Sequence, residues 1–158
     1  MSVENLKKFA NRLGQTDAFI VNATVDILNN DDIGDKIEEM NRGQLRSGVD
    51  AGGDKMGKYK SYTYIQERQS KSLQTEFIDL GFDGDFYGSI VSDSFANGKE
   101  PVVEMTATDN KWENATDTGD SLKSRFPNAL GLTKESAEKV GGLIAPKLAQ
   151  KISNFWKI

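Results

Sequence analysis

The chain has no cysteine and no histidine among its 158 residues, and only 3 prolines, one of which, Pro146, falls inside an apolar helical pattern. Without cysteine, disulfides and thiolate zinc sites are excluded. Without histidine the commonest general base is gone, and with it the Ser-His-Asp, Cys-His and HExxH arrangements. No apolar run approaches the ~20 residues that a helix needs to cross a bilayer. The first residues, MSVENLKKFANRLGQ, lack the uninterrupted apolar core of a signal peptide. Synthesis in the cytoplasm and no membrane partner are therefore expected. The glycine-rich stretch GVDAGGDKMGK lacks the GK[ST] ending of a phosphate-binding loop. Nor does any dense Lys/Arg cluster interleave with aromatics as a nucleic-acid interface would require.

What is present is a polar chain, 37% hydrophobic and 28% charged, that is long enough for one domain with a thin core. Its net charge of −4 is unevenly spread. Residues 1–40 carry 4 basic and 8 acidic side chains, and residues 41–74 carry 7 and 3. Residues 75–120 carry 2 and 11, and residues 121–158 carry 7 and 2. Such blocks are ordinary for a solvated surface. They also suit an acidic sheet of one copy meeting a basic flank of the next, the head-to-tail arrangement that closes into rings.

Hydrophobic spacing predicts an α+β fold: N-terminal helices, a long extended arm or loop, a small antiparallel sheet with a hairpin, and a C-terminal helix. The expected organisation is a single domain over 1–158, helical over 1–46, an arm over 47–74, a sheet with an insert over 75–127, and a helix over 128–158. Val3, Leu6, Phe9, Ala10 and Leu13 lie at helical spacing. Gly14 is expected to end that helix, with Thr16 or Asp17 capping the next. Phe19, Ile20, Ala23, Ile27 and Leu28 continue the apolar face until Asn29–Asp32 interrupts it, and Ile33, Ile37, Met40 and Leu45 resume it. Residues 47–74 show no sustained apolar period. Tyr59, Tyr62 and Tyr64 there are candidate contact residues, because tyrosine is enriched at interfaces; the same segment reads equally as a mobile loop with exposed tyrosines. Thr75–Leu80 is expected as a strand and Gly81–Gly84 as a turn. Phe86–Phe95 and Pro101–Thr108 form a hairpin around Ala96-Asn97-Gly98-Lys99. In its second strand Val103, Met105 and Ala107 share a face opposite Val102, Glu104 and Thr106. Asp109–Asp120 is a polar excursion that carries Trp112, a further candidate contact. Thr133 is a good N-cap for a helix presenting Ala137, Val140, Ile144, Leu148, Ile152 and Phe155, with Glu135 in its first turn. Pro146 should kink or break that helix near Ala145. Phe155 and Trp156 are expected to pack on the core or on a neighbouring subunit.

Among possible chemical sites, Asp79, Asp83 and Asp85 are the best carboxylate cluster. Their spacing could hold a hard cation, but the ligand ladder of an EF-hand is absent, and Asx turns are the simpler role. Two carboxylates facing one another could also hydrolyse a glycoside. No catalytic, cofactor-binding or metal-binding residue is assigned.

The order of several short motifs resembles small tailed-bacteriophage proteins of the neck or tail-completion (head–tail connector) group, particularly those of phages of Bacteroidetes. Asn41, Gln44, Leu45 and Gly48 match an Asn-x-x-Gln-Leu-x-x-Gly segment that follows the N-terminal helices. Gly52 to Lys71 matches a glycine-rich, tyrosine- and lysine-containing arm. Asp79, Leu80, Gly84, Asp85, Phe86, Tyr87 and Ser89 match an Asp-Leu, Gly-Asp-Phe-Tyr and Ser series at the entry to a hairpin. Gly131, Leu132 and Thr133 match a Gly-Leu-Thr before the last helix. Asp83 stands where the family has threonine, and the 109–127 insert is longer. The resemblance spans roughly residues 35–140. It implies a structural virion protein, made in the host bacterial cytoplasm, that assembles as a homo-oligomeric ring. It further implies contacts to portal, adaptor or tail proteins near packaged DNA, without catalysis or cofactors. The Tyr59–Ser70 or 109–127 segment would then order on assembly. Two other function classes stay open: a cytoplasmic binding or regulatory protein whose acidic sheet captures a basic partner, and a carboxylate-based tail hydrolase.

Overall fold

The computed structural model describes residues 3–30, 32–114 and 119–157. The side chains of Val3 and Leu6, and parts of the 29–32 and 109–127 stretches (residues 31 and 115–118), lie outside the described set. The fold is α+β. Its elements are α1 (Val3–Asn30), α2 (Ile33–Arg46), α3 (Tyr62–Ser70), α4 (Asp85–Ser89), β1 (Ile90–Asn97), β2 (Glu100–Ala107), α5 (Asn110–Glu113), α6 (Leu122–Arg125) and α7 (Lys134–Trp156). The strands form one two-stranded antiparallel sheet. The chain divides into two compact units, each assembled from separated stretches. One comprises Met1–Gly34, Asp93–Glu104 and Glu138–Ile158; the other comprises Asp35–Ser92 and Met105–Ala137.

In the first unit α1 runs unbroken through Gly14, contrary to the expected stop. A lone glycine costs a helix only about 1 kcal/mol relative to alanine, which the 28-residue helix absorbs. Thr16 is therefore interior rather than capping, and its hydroxyl donates to Arg12 O at 3.0 Å. The helix does end before Asp32, whose φ of 56° is a left-handed conformation that Asp adopts more readily than most residues. Val21, Ala23, Ile27 and Leu28 are its buried face. α7 lies antiparallel along it. Phe155 stacks on Phe19 with centroids 4.2 Å apart, Trp156 tilts against Phe9 at 5.6 Å, and Lys151 pairs with Asp26. That ion pair holds the Asp26 carboxyl below its usual range through hydrogen bond and charge. Pro146 does not break α7, which continues to Trp156. Its missing N–H removes one ladder bond, while aromatic packing at the far end holds the last turns in place.

In the second unit the core is Leu45, Phe86, Ile90, Ala107, Trp112 and Ala129. Three expectations change here. Residues 47–74 are not an arm throughout, because Tyr62–Ser70 is a helix capped by Ser61, whose Oγ accepts from Tyr64 N. Its signal was hidden because it buries a charged residue, Arg68, instead of an apolar stripe. Thr75–Leu80 is irregular rather than a strand, and the residues after the Gly81–Gly84 bend form α4, so the hairpin starts at Ile90. Finally, Trp112 is a core residue, only 4% exposed, on a short helix capped by Asp109.

The hairpin closes through Gly98-Lys99, with Gly98 at φ 63°. The Thr108 N–H to Ser89 O bond at 3.0 Å continues its register. In that register Phe95 stands opposite Val102, and Asp93 opposite Glu104. Ile90, Ser94, Met105 and Ala107 line one face and are buried or half-buried, as the alternation predicts, whereas Val103 on the same face is exposed and Val102 on the other is half-buried.

Candidate interaction surface

A row of polar side chains on α2 builds the frame of the second unit. Asn41, fully buried, donates its amide to Ala129 O at 3.0 Å and Gly131 O at 2.7 Å. Gln44 donates to Gly131 O at 3.1 Å and accepts from Thr133 N at 3.0 Å. Arg42 donates to Tyr87 O and Ile90 O and pairs with Glu38, which accepts from Ser92 N. Asn41 and Gln44 are three apart and Glu38 and Arg42 four apart, so each pair shares a side of the helix, one turned to the 129–133 segment and the other to the 87–92 segment. Gly48 follows at φ 68°, and a β-carbon there would come within 2.4 Å of the Phe77 ring.

The second construction is a buried knot around Arg68, which is 0% exposed. Its Nε donates to Gln74 O at 2.8 Å and its Nη1 to Gly81 O at 2.6 Å. Its Nη2 reaches both oxygens of Asp79 at 3.0 Å. The Tyr59 ring lies 4.6 Å from the guanidinium and the Tyr64 ring 5.9 Å away. Asp79 also accepts from Tyr59 OH at 2.8 Å, Gly81 N at 3.0 Å and Gln74 Nε2 at 2.6 Å. Tyr87 OH donates to Asp79 O. Every polar group of the buried pair thus has partners, which is the condition under which a buried ion pair is tolerated. Burial pushes the Tyr59 and Tyr87 phenols above the usual tyrosine range, and the Asp79 charge adds to this.

Tyr59 and Tyr64 belong to this knot and also line a recess of about 1000 Å³. Leu80, Phe82, Leu122 and Phe126 give it apolar walls, and Lys58, Lys60, Lys111 and Arg125 give it a basic surround, against Glu67 and Asp83. Tyr64 stacks on Phe82 at 5.4 Å.

Of the residues expected to make contacts, the recess gathers Tyr59 and Tyr64. Tyr62 points away to solvent at 72% exposure. Trp112 is in the core, and Phe155 and Trp156 are half-buried against α1. The three aspartates have separate roles. Asp79 is committed to Arg68, Asp83 accepts from Asp85 N at 3.3 Å in an Asx turn, and Lys111 approaches Asp83 at 3.8 Å. Among the described residues no group of three or more acidic side chains is placed to hold a metal ion. Sequence reasoning missed Arg68, Gln74 and the basic surround. The one available signal was Arg68 standing four residues after Tyr64, a spacing that stacks the two side chains on a helix.

No protein-family model, curated protein or solved structure matches the chain.

Proposed function

We propose that the chain is a structural subunit of a tailed-phage virion, forming part of the neck, head–tail connector or tail-completion ring, with no catalytic role. One observation carries this reading. The residues that resemble the connector group are those that hold the second unit together: Asn41, Gln44 and Gly48 on and after α2, Asp79 and Tyr87 in the Arg68 knot, and Gly131 and Thr133 under Asn41 and Gln44. A motif made of framework positions is what a shared scaffold would leave in the sequence, whereas a shared active site would leave reactive groups. The hydrolase reading loses its best carboxylate, since both oxygens of Asp79 are occupied by donors from the chain itself. Electron microscopy of the purified protein and of the phage particle tests the proposal. A closed ring, or density for the chain between portal and tail, is the expected result. A monodisperse monomer absent from any particle would overturn it in favour of a binding protein with an acidic face.

A further inference from the structure

The face of the hairpin opposite to its packed side carries apolar residues among acidic ones. Val91 and Phe95, at 39% and 40% exposure, lie on it with the half-buried Val102 opposite Phe95. Asp93, Glu100 and Glu104 are exposed on the same face. The Phe95–Val102 pair thus lies between the Asp93–Glu104 pair and Glu100, with Val91 beyond Asp93. Among the described residues the sheet has two strands. The recess of the second unit has the opposite balance: apolar and aromatic walls with Lys58, Lys60, Lys111 and Arg125 around them against Glu67 and Asp83, of which Asp83 lies 3.8 Å from Lys111. Its size is within the range that takes a few side chains.

We propose that the outward face of β1–β2 in one copy docks into the recess of the second unit in another copy of the same chain. The proposal rests on the ring reading and names the contact that would build the ring. Phe95 and Val102 are the apolar anchors, and Asp93 and Glu104 meet Lys58 and Lys60. Complementary charge around an apolar centre sets partner and register. The two patches differ, so each copy offers one of each. Such a heterologous contact propagates from copy to copy and closes into a ring when the rotation allows.

Sedimentation velocity of the full chain over a range of concentration and salt is the test. Self-association that weakens as salt rises is expected. Asp93→Lys with Glu104→Lys, or Lys58→Glu with Lys60→Glu, should each weaken it at least tenfold, with unchanged circular dichroism. Mixing the two variants should restore association, because the face of each variant then meets a complementary recess on the other and copies of the two add in alternation. Because the chain has no cysteine of its own, a second readout is clean: Phe95→Cys protein mixed with Thr63→Cys protein should form a mixed disulfide dimer on oxidation. Association that ignores all four charge changes and yields no mixed disulfide would overturn this docking while leaving the ring reading in place. A chain that stays monomeric at every concentration would also overturn it, and the ring reading would then stand or fall with the particle microscopy.

Discussion

At the scale of single residues, the most consequential placement is a charged side chain in the interior. Arg68 is stable there because its guanidinium meets a carboxylate, two carbonyls and two aromatic rings at once. Removing one partner of a buried pair strands the other charge, at a cost of about 3–5 kcal/mol. Asp79→Asn and Arg68→Met should therefore each lower unfolding stability by about that amount in urea titrations, and the double variant by less than their sum. Losses below about 1 kcal/mol for the single changes would show that water, not the protein, solvates the pair. The same knot gives the protein an alkaline limit. Unfolded phenols ionise near pH ~10, and burial delays Tyr59 and Tyr87 beyond that. A folded-state pKa that is raised contributes stability in full below the unfolded value and loses it as pH climbs above. Stability should fall above pH ~10, and Tyr87→Phe, though less stable at neutral pH, should fall less steeply; identical slopes would contradict the assignment.

At the scale of elements, helix ends and interruptions decide the outcome. Gly14 is exposed within α1, and a β-carbon added there would have no other atom within 4 Å. Gly14→Ala should raise stability by about 1 kcal/mol, measured by thermal or urea unfolding, whereas a true helix stop at that position would make the change neutral or harmful. At α7, Ser136 N donates to the Thr133 hydroxyl at 3.3 Å, and Thr133→Ala should cost about 1 kcal/mol. Asn41→Ala removes both bonds that the Asn41 amide makes to the 129–131 segment. A loss of about 1–3 kcal/mol is expected, since buried carbonyls are left short of donors; faster amide exchange at Thr133 would accompany it.

At the scale of the whole molecule, charge blocks that are sharp along the sequence do not coincide with the compact units. The acidic stretch 75–120 is divided between both units, because the hairpin passes from one to the other. Charge is instead concentrated on smaller surfaces, the acidic outward face of the hairpin and the basic surround of the recess. Assembly should therefore depend on these local patches and not on the net charge of −4. Neutralising Lys36, an exposed residue outside both patches, should leave sedimentation unchanged.

Elements with a local signal were legible from the chain alone. The amphipathic helices, the Asn29–Asp32 interruption, the Gly98 turn with its alternating strands and the Thr133 cap follow from periodicity and backbone preference, and all are present. So is the α+β class. Whatever depends on distant partners had to wait for the folded chain. Arg68 could be buried only because Gln74, Asp79 and Gly81, a short irregular stretch later, fold back onto it, and no hydrophobic period records that bend. Trp112 sits among polar neighbours in sequence yet packs beside Phe86 at 5.8 Å. Tyr59 and Tyr64 became walls of a recess while Tyr62, two or three residues away, stayed in solvent. Local spacing records which backbone conformation is cheap; burial of a charge or an aromatic ring is settled by which partners folding can bring within a few ångströms.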